Sequence, residues 1–204
     1  MTDLDRLLEI ASPALSRDPL PDTPGCPPEL RRLLDRRNGF LAFESALLVL
    51  PAAGAGGLPG LVEWNRPDGW TRHYDRLPEP TIFFGLDLFA EAFGIAPSGV
   101  LRLGTETGEV ETIAPTLEGW AARILADHRQ QTGWPLGRDW QRLRGPLPLA
   151  SRLVGRKPFF LGGEHSVENL RTVSIGEAME WLGYLCSETR DLPDGTSVEF
   201  RQRP

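Results

Sequence analysis

Residues 99–115 read GVLRLGTETGEVETIAP, two alternating apolar and polar runs around a turn that ends at Gly108. Period two on both sides of a glycine-bearing turn predicts an antiparallel β-hairpin. The spacing then changes. In PTLEGWAARILADHR, Thr116 is placed to cap a helix and Glu118 sits in its first turn. Leu117, Trp120, Ala121, Ile124 and Leu125 form one apolar stripe. A helix that follows a hairpin directly must lay its stripe on the sheet. Upstream, TIFFGLDLF from Thr81 is β-branched and aromatic, as a buried strand is. Residues 81–114 are therefore expected to form adjacent antiparallel strands, with the 116–126 helix packed on them through Trp120, Ile124 and Leu125. That is an α+β fold, a central antiparallel β-sheet flanked by helices.

The rest of the chain fits around this centre. Leu4, Leu7, Leu8 and Ala11 recur at helical spacing behind a cap at Thr2 or Asp3, and Pro13 ends the run. Residues 18–28, DPLPDTPGCPP, are a proline-rich connector. A second helix opens on Pro28, carries Leu30, Leu33 and Leu34 on one face, and stops at Asn38-Gly39. The apolar stretch that follows is a core segment. Residues 61–76 read as locally helical around Trp70 and Tyr74, broken at Pro67, and WPLGRDWQRLRG as a short helix. KPFFLGG reads as a strand ending in a turn. A capping box, Ser174 with Glu177, opens a helix that turns Met179, Leu182 and Cys186 inward. DLPDGTSVEF reads as a turn and an edge strand. With no linker ahead of the last fifty residues, 1–204 is expected as one domain. Residues 1–26 are its N-terminal helix and connector, and 150–204 a C-terminal α/β elaboration.

Residues 46–62 carry no charge, yet Pro51, Pro59 and glycines at 54, 56, 57 and 60 break them, so a membrane span is not expected. The start, MTDLDRLLEI, has no basic n-region of a signal peptide. Two cysteines, Cys26 and Cys186, make neither a disulfide framework nor a zinc site, which fits a reducing cytoplasm. A net charge of −6 argues against a dedicated nucleic-acid binder. The sum conceals two blocks. Residues 79–118 hold seven acids and one Arg, whereas 120–160 hold eight bases and two acids. Such blocks are commonly solvated faces.

Chemistry is sparse. His73, His128 and His165 lie far apart, with no metal-ligand spacing between any pair. Glu164, His165 and Glu168 could approach a cation, although such a trio is usually a polar turn. Ser166 and Ser174 lack a nucleophile-elbow setting, and Cys186 falls on an apolar helix face. Asp87 and Glu91 sit four residues apart beside aromatics and read as surface carboxylates. Trp120 and Trp181 read as core. Among Trp64, Trp70, Trp134 and Trp140, beside polar residues or Gly and Pro, some are expected at the surface. No catalytic residue, metal or cofactor is assigned.

The segments RRNGFLAFESALLVLP, FFGLDLF, GVLRLGTETGEVETIA and TLEGWAARIL occur in an order and spacing that resembles the SUKH superfamily. That superfamily includes yeast cell-wall-synthesis regulators and many bacterial immunity proteins. WNRPDGW, TGWPLGRDWQ, PFFLGGEHSVENL and DLPDGTSVEF resemble a bacterial subgroup, so the likeness spans roughly residues 27–201. It implies a non-catalytic protein-binding module, in bacteria typically an immunity protein that covers the active site of a cognate nuclease or deaminase toxin. The alternative it implies is an endogenous scaffold or regulator. The chain departs from the family's turn in LDLFAEAFGI, where Leu86 replaces an acid and Ala90 and Glu91 stand in place of Gly and Gln.

A nuclease presents a basic cleft, so clustered carboxylates suit its inhibitor. On that ground Asp87, Glu91, Glu106, Glu109 and Glu111 are the candidate partner-binding residues, with Trp64 as an aromatic anchor. In a strand, Glu109 and Glu111 project to one side and Val110 to the other.

Overall fold

The computed structural model describes residues 1–18, 25–193 and 196. Its centre is a six-stranded sheet: β1 (Phe40–Ala42), β2 (Leu47–Val49), β3 (Ile82–Leu86), β4 (Ala92–Ala96), β5 (Gly99–Leu103) and β6 (Val110–Ala114). The strands follow one another in spatial order, and every neighbouring pair is antiparallel. The expected α+β architecture is the observed one.

Alternation along the strands divides the core into two layers. Phe84, Phe93 and Val100 face one way, against α1 (Asp3–Ile10), α2 (Pro28–Arg36) and α4 (Leu117–Ala126). Phe83, Leu101 and Leu103 face the other way, against α7 (Ile175–Thr189) and the long β2–β3 connection. That connection holds a one-turn helix α3 (Leu61–Trp64) and a 3-10 turn at Trp70–His73. Trp120 is fully buried and meets Phe84 and Phe93 edge-on, at 5.1 and 5.8 Å between ring centroids. Ile124 is buried beside it and Leu125 packs at the margin, as the stripe predicted. Burying an aromatic of this size contributes about 2–3 kcal/mol from removed apolar area.

Caps are where the sequence placed them. Thr2 closes a capping box with Asp5 on α1, Thr116 accepts from Gly119 N, and Ser174 closes a box with Glu177 on α7. The outer edge of β1 is covered: the N–H groups of Ser12, Leu15 and Ser16 donate to the carbonyls of Leu41, Gly39 and Asn38.

One expectation needed correction. KPFFLGG is a 3-10 turn at Phe159–Leu161, between Pro158 and a left-handed Gly162. The side chain of Asn169 clasps the same loop, accepting from Lys157 N and donating to the carbonyls of Lys157 and Glu164. The strands of the elaboration lie on either side of it: β7 (Ser151–Gly155) pairs antiparallel with β8 (Leu170–Ser174). Most of the edge strand expected in DLPDGTSVEF lies outside the described residues. The helix expected in WPLGRDWQRLRG is α6 (Trp134–Arg144), preceded by one turn, α5 (His128–Gln131).

Candidate functional site

In a meander the odd-to-even turns all fall at one end of the sheet. Here these are the β1–β2, β3–β4 and β5–β6 turns, and α5, α6 and the β7–β8 hairpin close over them. Asp87, Glu91, Arg102, Glu106 and Arg152 gather at this end.

Asp87, just past β3, organises the middle turn. Its N–H donates to Glu91 O at 3.0 Å, and its Oδ1 accepts from Phe89 N at 2.8 Å and Glu91 N at 2.9 Å. Those three bonds hold Ala90 at φ +69°, a conformation that costs an L-residue roughly 1–2 kcal/mol. Position 90 is thus one that favours glycine. The turn is pinned from outside as well. Leu88 N donates to Thr132 O at 3.3 Å, and Leu153 N on β7 donates to Leu88 O at 3.0 Å. A Cβ on Gly137 would fall 2.4 Å from a Leu88 methyl, so only glycine lets α6 come this close.

Asp87 is 4% exposed, which corrects its reading as a surface carboxylate. Burial, followed by the neighbouring Glu91, pushes its carboxyl up to about 8, against the pull of Arg102. Arg152 on β7 is fully buried. Its Nη1 donates to Ser151 O, but among the described residues Nε and Nη2 have no hydrogen-bond partner. Burial brings its guanidinium down to about 10, and the negative charge of Asp87 resists that fall.

Glu91 lies 3.4 Å from Arg102 Nε, and Arg102 also donates to Gln131 O and Oε1 at 2.8 and 3.0 Å. Burial raises the Glu91 carboxyl, with Glu106 and Glu111 adding to the rise and Arg102 opposing it. Arg123 on α4 reaches the same Gln131 Oε1 at 3.3 Å and Glu111 at 3.5 Å. Glu106, in the β5–β6 turn, accepts from Phe160 N at 3.0 Å, and burial raises its carboxyl too. Phe89 meets Phe159 edge-on, and Phe159 stacks on His165 at 4.2 Å. Two stretches separated by seventy residues of sequence, around Asp87 and around His165, are therefore neighbours. Among the described residues, no group of three or more His, Cys, Asp or Glu could hold a metal ion.

The six candidates divide sharply. Asp87 is buried, Glu91 and Glu106 are half-buried and engaged, and Glu109 and Glu111 are exposed. Glu109 has no cationic partner within 4 Å among the described residues, and Glu111 touches only the half-exposed Arg123. Trp64 is the second correction: it is 4% exposed, packed against Trp70 at 5.3 Å on the α7 side of the sheet. It borders an open cleft of about 580 Å³ shared with Leu58, Trp70, Ile175 and Gly176. Trp70 and Trp140 are buried, whereas Trp134 and Trp181 are half-buried. Sequence reading passed over Arg152 and Arg102, and no short-range pattern marks either one.

No protein-family model matches the chain, and no curated protein matches it. Among solved structures it is similar to Atu4351 from Agrobacterium tumefaciens, with a TM-score of 0.51 and 11% identity. The match covers 89% of this chain and 79% of that one, and it shows a shared fold. No helix among the described residues is long and apolar enough to cross a membrane.

Proposed function

We propose that this chain is a non-catalytic protein-binding module of SUKH type, acting in the cytoplasm as an immunity protein against a toxin with a basic active-site cleft. One observation carries the reading. Glu109 and Glu111 stand exposed at the start of β6, the last strand of the sheet, while the acids behind them are bonded internally. A rigid sheet rim bearing solvated carboxylates suits a cationic surface, where complementarity raises association rate and specificity. The buried polar groups at the covered end hold the fold together; the lone pairs of Asp87 Oδ1 are taken up by two backbone N–H groups.

The test is affinity capture from the native host, followed by hydrogen exchange on the purified complex. The reading expects a stoichiometric basic partner and new protection across residues 106–112. Protection confined to other surfaces, or recovery only of housekeeping proteins that leave the hairpin unprotected, would overturn it.

A further inference from the structure

Part of the basic block, the arginines of α5 and α6, lies on a second, separate surface. Trp134 opens α6 with its indole beneath two guanidinium groups: Arg129 of α5 lies 5.2 Å from the ring centroid and Arg138 of α6 lies 5.1 Å from it. His128 meets the same indole edge-on at 5.3 Å and stacks on Phe43 at 4.5 Å. Phe43, Glu44 and Ser45, the β1–β2 turn, all hold positive φ, and Gln141 of α6 donates to Glu44 O at 2.8 Å. The aromatic ladder is thus built on a fixed turn. Arginine stacked on an aromatic ring has its plane set while its N–H groups remain free for a planar oxyanion.

Among the described residues those N–H groups have no acidic partner. Among the described residues, none of Arg129, Arg138 and Arg142 has a carboxylate within 4 Å, although seven other arginines do. Arg138 and Arg142 are one helical turn apart, and all three are exposed. Beside Arg142, Leu143 is 69% exposed. We infer that the Arg129–Trp134–Arg138 stack, with Arg142 and Leu143, docks an acidic, leucine-containing segment of a protein partner. Its carboxylates would take the guanidinium forks and its apolar side chain would cover Leu143.

Charge decides between protein and nucleic acid. The chain's net −6 repels a polyanion at long range. Asp127 and Asp139 interrupt the patch, a mixture that suits interdigitated side chains better than a phosphate rail. Tryptophan and arginine are also the residues that carry protein interfaces. This surface is independent of the acidic hairpin rim.

The experiment is fluorescence anisotropy with a labelled glutamate-rich peptide carrying one central leucine, at low ionic strength. A duplex oligonucleotide of similar charge is measured alongside. The peptide should bind saturably and weaken steeply with salt. Arg129→Gln with Arg138→Gln, both exposed and verified as folded by circular dichroism, should weaken it about tenfold or more. Leu143→Ser should weaken it by a smaller factor, and Glu109→Gln with Glu111→Gln should leave it unchanged. Absence of peptide binding, equal binding by the arginine variant, loss in the hairpin variant, or tighter binding of the oligonucleotide would each overturn the assignment.

Discussion

The β3–β4 turn and the start of β6 carry the same residue types in the same acidic block, and the fold uses them in opposite ways. At the turn, Asp87 is inside, bonded to two backbone N–H groups and covered by β7 and α6, whose residues pin the neighbouring Leu88. At the hairpin, Glu109 and Glu111 are in water. Formal charge along a sequence therefore says little about surface charge. What separates the two cases is what closes over each acid: α6 and β7 over Asp87, solvent over Glu109 and Glu111.

The largest effect should come from breaking the buried side. Asp87→Leu removes the acceptor that Phe89 N and Glu91 N share and releases the turn, and should cost about 2–4 kcal/mol in urea unfolding. If the variant loses less than about 1 kcal/mol, the Asp87 carboxyl is not what holds the turn.

Stability should also depend on pH in a specific direction. The folded state keeps a proton on Asp87 up to about 8, whereas the unfolded chain releases it near about 4. The folded state thus binds more protons between those values. Stability should fall as pH rises through that window and level off above it. Asp87→Asn should flatten most of the slope, leaving the smaller part due to Glu91. A rise in stability across the same window would contradict the placement of Asp87.

Ala90→Gly removes the cost of a left-handed alanine and should raise stability by about 1 kcal/mol. Smallest of all should be reversal of the rim. Glu109→Lys with Glu111→Lys should change stability by no more than about 0.5 kcal/mol, read as a melting temperature within a few degrees of the parent.

The same contrast explains what could be read from the sequence. The hairpin, the helix behind it and the caps at Thr2, Thr116 and Ser174 are local features, and all were legible. β4 was harder to see, because its residues Ala92, Gly94 and Ala96 present small side chains to one face while Phe93 and Ile95 fill the other. β7 was hidden by Arg152, whose charge at an inward position imitates an outward one. Its partner β8 lies beyond a loop far longer than a hairpin turn. Trp64 looked exposed because Asn, Arg and Pro follow it, yet Trp70 folds back over it and donates its indole N–H to Trp64 O. The burial of Asp87 depends on β7, contributed from about sixty residues downstream, and no window around Asp87 contains that information.

Association kinetics with the partner captured from the host test the central contrast most directly, comparing the parent with folded Glu109→Lys/Glu111→Lys and Asp87→Asn proteins. The hairpin variant should lose about tenfold in association rate, together with much of its salt dependence, while the Asp87 variant associates as the parent does. An unchanged rate in the hairpin variant, or an equal loss in the Asp87 variant, would contradict the assignment of the exposed rim to binding and the buried turn to structure.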